Sequence, residues 1–275
     1  MTDRPFPARA EKVATFRALH QRAGAFIMPN PWDVGSARIF EDLGFEALAT
    51  TSAGFAWTLG RLDHCVARDE KIAHARALCA ATRAPVAADL GNGFADAPED
   101  VADTIRLAAA AGLAGGSIED AKADGSAYDI DLAVARIAAA AKAAREVDGG
   151  FVLTARTEHF LRGGSDVGEA IERLQAFETA GAEVLFAPGV RRLDDVKAIL
   201  AAIARPLNVL VGIPGFAIPA ADLEAAGVKR LSIGADLARI AYAAAHNAGA
   251  ELMRSRRIDA AGIDAPGLDF GRLFG

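Results

Sequence analysis

Short apolar runs rich in β-branched or aromatic residues alternate along the chain with longer, Ala-rich stretches of helical period. Apolar runs of a few residues bounded by turn residues predict strands. Apolar positions recurring at three and four predict helices that bury one face. Strands are predicted over 26–29, 47–52, 85–90, 116–120, 151–157, 184–188, 207–211 and 230–233. Helices are predicted over 36–43, 68–82, 98–111, 131–147, 167–180, 193–203, 220–226 and 236–252. The punctuation agrees with this reading. Pro98-Glu99-Asp100 places proline and acids in a first helical turn, where the dipole favours them. Gly44, Gly112, Gly181 and Gly227 each follow a periodic run, where a left-handed stop is expected.

Eight strand–helix modules in one chain of 275 residues suit a (β/α)₈ TIM barrel, which takes ~250 residues. An open doubly wound sheet would show a glycine fingerprint after its first strand. Gly91-Asn92-Gly93 follows the third strand and lacks the last glycine of that pattern. No Pro/Ser-rich linker or block of charge divides the chain. The expectation is one barrel domain over 1–275, with a leading helix in 1–20 and a C-terminal tail at 255–275.

Composition narrows the function classes. At 52% hydrophobic and 24% charged the chain is globular rather than disordered. Its mean hydropathy of +0.19 does not signal a membrane protein, because apolar runs such as 107–113 fall far short of the ~18–20 residues of a span. Thirty basic against 36 acidic residues leave a net charge of −6, which argues against a nucleic-acid surface. Cys65 and Cys79 form no CxxC pair, so neither a disulfide framework nor a zinc knuckle is indicated. The first residues lack a basic-then-apolar signal, and a cytoplasmic protein is expected.

Barrel active sites lie at the C-terminal ends of the strands. Those ends carry Asn30, Thr50-Thr51-Ser52-Ala53-Gly54, Asp89, Glu119-Asp120, Arg156-Thr157-Glu158-His159, Pro188-Gly189, Asn208 and Gly234. Asp89, Glu119 and Arg156 lie on three successive strands and would converge over the mouth. Two carboxylates with open water positions suit Mg²⁺. The arginine offers a planar fork for a carboxylate or phosphonate. The Thr51–Gly54 turn offers a hydroxyl and backbone N–H groups to another oxyanion. Taken singly, Asp89 reads as a turn cap and Glu119–Arg156 as an internal ion pair. Taken together at matching positions, they read as a site.

At these residues the chain resembles the isocitrate lyase/phosphoenolpyruvate mutase superfamily, in particular its short members. The resemblance runs in order through residues 29–38, 49–54, 59–63, 85–94, 117–120, 154–158 and 206–210. It implies that Thr51, Ser52 and Ala53 hold a substrate carboxylate and that Asp63 lies near metal and substrate as a catalytic group. It places Asp89 and Glu119 in the shell of Mg²⁺ (or Mn²⁺), and Arg156 and Asn208 against substrate. His159, two places past the fifth strand end, is the candidate auxiliary acid/base on position alone, and His64 beside Asp63 is a weaker one.

The departures matter as much as the matches. The family's second acid after the third strand falls at Gly91, and Glu158 replaces an aspartate. The lyase loop Lys-Lys-Cys-Gly-His after the fourth strand is replaced by 121–130, which holds neither Cys nor His. The longer phosphonomutase loop is absent too. The family chemistry implied is an enolate of a keto acid, with Mg²⁺ as Lewis acid. The expected function is a carbon–carbon lyase or decarboxylase for a small 2-hydroxy- or 2-keto di- or tricarboxylic acid. Phosphonomutase-type C–P chemistry, and a degenerate barrel that only binds a small acid, are the alternatives. The resemblance further implies a homodimer or homotetramer that exchanges the last barrel helix, near 236–252.

Overall fold

The computed structural model describes residues 6–63, 65–256 and 268–274. The elements run α1 (Arg9–Gln21), β1 (Phe26–Met28), α2 (Val34–Asp42), β2 (Leu48–Ala49), α3 (Ser52–Thr58), α4 (Arg68–Ala81) and β3 (Val86–Asp89). They continue α5 (Pro98–Ala110), β4 (Gly115–Glu119), α6 (Ile130–Glu146), β5 (Val152–Arg156), α7 (Val167–Thr179) and β6 (Val184–Phe186). The chain closes with α8 (Leu193–Ala202), β7 (Leu207–Leu210), α9 (Ala220–Ala226), β8 (Arg230–Ser232), α10 (Asp236–Ser255) and α11 (Phe270–Phe274).

Every predicted strand and barrel helix is present, within a few residues at each end. The four glycines expected to stop helices all have positive φ, from 89° at Gly44 to 106° at Gly181 and Gly227. Two short helices escape the periodicity. The strand predicted over 47–52 contracts to Leu48–Ala49, because Thr51 leaves the ladder to cap α3. Within the tail, α11 is tied to α2 by Arg272, whose Nη2 lies 2.6 Å from Asp42 Oδ2. Residues 1–5 of the leading segment and 257–267 of the tail lie outside the described residues.

All strand pairings are parallel, in the order β1-β8-β7-β6-β5-β4-β3-β2. The seam between β1 and β2 is closed by one backbone bond, from Ala49 N–H to Pro29 O at 3.1 Å. Asn30 staples the same corner. Its buried amide donates to Thr50 O and accepts from the N–H groups of Ile233 and Gly234. The result is a (β/α)₈ TIM barrel. No helix of the described residues is long and apolar enough to cross a membrane.

The helix ahead of β1 plugs the bottom of the barrel. Val13, Phe16 and Leu19 of α1 pack on Phe26, Met28, Val152 and Val184, so the plug and the strand starts share one core. Gly115 permits this contact, since a Cβ there would sit 2.9 Å from Phe16 and 2.6 Å from Val152 O. His20, one turn past Phe16, is buried against the same ring and lies 2.8 Å from Phe16 O through Nδ1. Burial, and then the charge of Arg230, push its pKa down to about 3.

Sign follows from linkage. The unfolded chain takes up a proton on His20 near pH 6.5 that the folded chain refuses, so its contribution is complete above that pH and lost as pH falls toward 3. We expect about 2 kcal/mol to disappear between pH 7.5 and pH 5. Denaturant unfolding of the wild type and of His20→Gln at both pH values checks this. The variant should lose distinctly less, and equal losses would contradict the assignment.

Candidate active site

The ladder register sets the site. Glu119 pairs with Arg156, and Asp89 pairs with Ser117 two residues earlier on β4. Three strand ends therefore deliver Asp89, Glu119 and Arg156 to one corner of the mouth. Arg156 Nη1 lies 3.7 Å from Asp89 Oδ1, and its Nε lies 3.6 Å from Glu119 Oε2. A third acid completes the cluster: Glu158 pairs closely with Arg156 Nε. Its own backbone N–H donates to Asp120 Oδ1 at 2.8 Å, and Asp120 is held in turn by Arg173 of α7. One cation thus faces three carboxylates.

Electrostatics follow from this crowding. Burial opposes the charge of Asp89, but Arg156, Lys71, the Gly91 N–H and the Ser52 hydroxyl together hold its pKa below the ordinary range. Glu119 goes the other way. Burial raises it, Arg156 only partly offsets this, and Asp89, Glu158 and Asp120 add repulsion, so its pKa is pushed up to about 8. Arg156 is itself disfavoured by burial yet raised above its usual range by Glu158, Asp89 and Glu119.

The segment expected to be a turn is the start of α3. Thr51 is its N-cap, and its buried hydroxyl accepts from Gly54 N–H at 3.2 Å, so that oxygen is committed to the helix. The reachable hydroxyl belongs to Ser52, which lies 3.1 Å from Asp89 Oδ2 and 3.3 Å from Asp63 Oδ2. The N–H groups of Ser52 and Ala53 open α3 and have no partner within it. Gly54 lets this turn sit tightly. A Cβ there would come within 2.5 Å of Thr51 and 3.2 Å of Ala238.

A cavity of about 220 Å³ is lined by Ser52, Ala53, Asp63, Asp89, Arg156 and Asn208. A larger hollow of about 1070 Å³ lies beside it under the 121–125 loop, lined by Gly91, Glu119 and Glu158. Arg156 belongs to the first, and the acids it contacts are split between the two. At Gly91 an added Cβ would meet open space, so the missing family acid leaves room rather than a substitute. His159 is not among the residues lining either cavity. Its Nδ1 lies 3.4 Å from Glu169 of α7 and its ring packs on Phe160. The structure places His159 away from both cavities, its ring tucked under Gly164 with Nε2 buried and unpartnered. His64 lies outside the described residues. Cys79 is buried in the core, and burial pushes its thiol up to about 12.

Among the described residues, no group of three or more His, Cys, Asp or Glu side chains is arranged to hold a metal ion. The donor set still fits a hard divalent cation. Asp89 and Glu119 supply oxygens at adjacent strand ends, three carboxylates outnumber one arginine, and Mg²⁺ usually keeps several waters. Glu158, read in the sequence as a strand-end residue without an assigned role, joins the cluster, and Thr154 and Arg230 are lining residues that strand-end reading passed over. The last two were signalled by a polar and a charged residue inside otherwise apolar strands.

A family model described as phosphoenolpyruvate phosphomutase matches residues 16–253. A crystal structure from Burkholderia cenocepacia J2315, provisionally assigned as a lyase/mutase, is 48% identical. It covers 97% of this chain and 96% of its own, at a TM-score of 0.93. The oxaloacetate decarboxylase of Paraburkholderia xenovorans (strain LB400) is 30% identical over 250 residues, 87% of this chain and 81% of that protein. A structure of oxaloacetate acetylhydrolase with the product oxalate is 28% identical. It covers 98% of this chain and 94% of its own, at a TM-score of 0.86.

The crowding of acids makes a stability prediction. A folded pKa raised above the unfolded value contributes stability that is whole below about pH 4.5 and lost as pH rises through about 8. In metal-free buffer, Glu119→Gln should therefore gain melting temperature relative to the wild type as pH goes from 5 to 8.5. A difference in melting temperature that does not change with pH would contradict the picture.

Proposed function

The chain belongs to the phosphoenolpyruvate phosphomutase family of lyases and mutases, and we propose that it is a Mg²⁺- or Mn²⁺-dependent carbon–carbon bond lyase or decarboxylase. Its substrate is a small 2-hydroxy- or 2-keto di- or tricarboxylic acid. The observation that carries the reading is the convergence of Asp89, Glu119 and Arg156 from successive strands beside Ser52. Named relatives support the substrate class, since oxaloacetate and 2,3-dimethylmalate are both diacids with oxygen at carbon 2.

The chain's own residues divide the work. Asp89 and Glu119 would hold the divalent ion, which when bound supplies Lewis-acid polarisation of the substrate's keto or hydroxyl oxygen. Arg156 binds the carboxylate beside that oxygen and neutralises charge that grows as the enolate forms. The N–H groups at the start of α3 and the Ser52 hydroxyl orient the same carboxylate. Asp63, adjacent to Ser52, is the carboxylate placed to take a proton from a substrate hydroxyl. Decarboxylation asks less of this chain than aldol-type cleavage does, because it requires no base. The 121–127 loop, closed by a bridge between Ala121 and Ala127, carries no acid/base of the Cys or His type.

Gly91 favours one second reading. With one acid fewer and open space beside it, the barrel would bind a small acid without turnover. A screen of 2-hydroxy and 2-keto acids with Mg²⁺ or Mn²⁺, reading pyruvate, glyoxylate and CO₂, separates the two. Turnover that falls at least 100-fold in Asp89→Asn and Arg156→Lys supports the enzyme. Tight oxalate binding without turnover on any acid would favour the binder.

The mature protein is proposed to be a homodimer or homotetramer that exchanges α10. Of that helix's twenty residues Ala238 is the buried one, while Ile240, Tyr242 and Met253 are exposed. Ile27, on the outer side of β1, is also uncovered, at 45% exposure. Paired Ile240→Asp and Tyr242→Asp substitutions should convert the oligomer to a monomer by light scattering. An unchanged mass would overturn the exchange.

A further inference from the structure

Arg230 is a buried cation without an acid. It opens β8, faces the barrel interior and is 3% exposed. Its hydrogen bonds are long and reach only neutral groups: Thr154 Oγ1 at 3.3 Å from both Nη atoms, and His20 Nε2 at 3.5 Å. His20 is neutral here, as its lowered pKa requires. Arg230 Nε has no partner. Burial pushes the guanidinium's pKa down to about 9, and no carboxylate among the described residues raises it.

Two other buried arginines show what compensation looks like in this fold. Arg136 donates to the carbonyls of Asn92, Ala95 and Glu119 and stacks on Tyr128 at 3.9 Å. Arg156 has three acids. Removing a charge from water costs several kcal/mol unless it is paired, so an unpaired arginine is kept for something that arrives.

What arrives can be placed. Arg230 lines the same cavity as Ser52, Asp89 and Arg156. Beside it, Asn208 donates to Ser232 Oγ at 3.0 Å but leaves its Oδ1 buried and unpartnered. The cavity floor therefore presents an open donor that suits a carboxylate, and beside it an open acceptor that suits a hydroxyl or a water. Thr154 precedes Arg156 by one inward-facing step on β5, which separates floor from mouth by roughly 6–7 Å. That is about the span between the ends of a four- or five-carbon diacid.

We propose that Arg230, with the Thr154 hydroxyl, is a second anion site at the barrel floor, and that the ligand is a diacid held by one carboxylate there and by its oxygenated end at the mouth. The inference rests on the mouth being a 2-oxygenated acid site, as proposed above. It adds that selection for the second carboxylate comes from β8 rather than from the strand ends.

Calorimetric titration of L-malate and L-lactate separates the two ends, because they share a 2-hydroxy acid and differ by one carboxylate. The full chain is titrated with Mg²⁺ and with EDTA, as wild type, Arg230→Met and Arg230→Lys. Wild type should prefer malate at least tenfold. Arg230→Met should lose that preference and keep lactate within about twofold, and its ligand-free melting temperature should rise. Arg230→Lys, which keeps the charge and loses the fork, should retain part of the preference and guards against misfolding of the first variant. A preference that survives in Arg230→Met, or a wild type that binds malate no better than lactate or binds neither, overturns the floor site. Mg²⁺-dependent lactate binding without malate preference would leave the mouth reading standing alone. Malate preference that is equal in EDTA and lost in Arg230→Met would support the floor site and sink the metal.

Discussion

A guanidinium among three carboxylates, in a corner with little water, sets the charge state of everything around it. Arg156 plays that part here, in contact with Asp89, Glu119 and Glu158. Its field keeps Asp89 ionised despite burial, while Glu119, the more crowded acid, stays high. With all three acids ionised the cluster is two positive charges short, and a divalent cation would supply them. The barrel register makes this possible, since Glu119 and Arg156 are ladder partners and Asp89 lies on the next strand. No loop has to fold correctly to bring them together.

The rest of the architecture supports that corner from below and behind. Asn30 ties the ends of β1, β2 and β8, so the rim of the mouth is braced where the ladder is weakest. Arg136 threads under the 92–95 backbone and fixes the loop that follows Asp89. The α1 plug seals the barrel bottom with Phe16 and brings His20 up to Arg230. Sites built on strands and braced in this way are geometrically tighter than sites on loops. The cost appears where burial is least compensated, at Glu119, whose pKa is pushed up, and at Arg230, whose pKa is pushed down.

Fold and site were legible in the sequence to different depths. The barrel came from alternation, eight runs with four glycine stops, because helical and strand periods differ so plainly. Asp89, Glu119, Arg156 and Ser52 could be found by asking only what each strand ends with, whereas Asn208, read as a strand end, is the second residue of β7 and lies beside Arg230 at the floor. The rest depended on direction. Thr51 and Ser52 are adjacent and chemically alike, yet one caps a helix and the other reaches Asp89. That split depends on a seven-residue helix too short to show a period. His159 looked equivalent to its neighbours by number, but the turn after β5 sends it to Glu169. Arg230 was visible as a charge inside a strand. Its meaning required knowing that nothing negative stands opposite.

A crystal structure grown with Mn²⁺ and oxalate tests the central claim most directly, because manganese reveals itself by its anomalous signal. The account predicts one strong peak at the mouth, coordinated by Asp89 and Glu119 with oxalate completing the shell, and Arg156 turned to the oxalate carboxylate. A mouth without manganese, with Arg156 still paired to Glu158 and oxalate bound elsewhere or not at all, would contradict it.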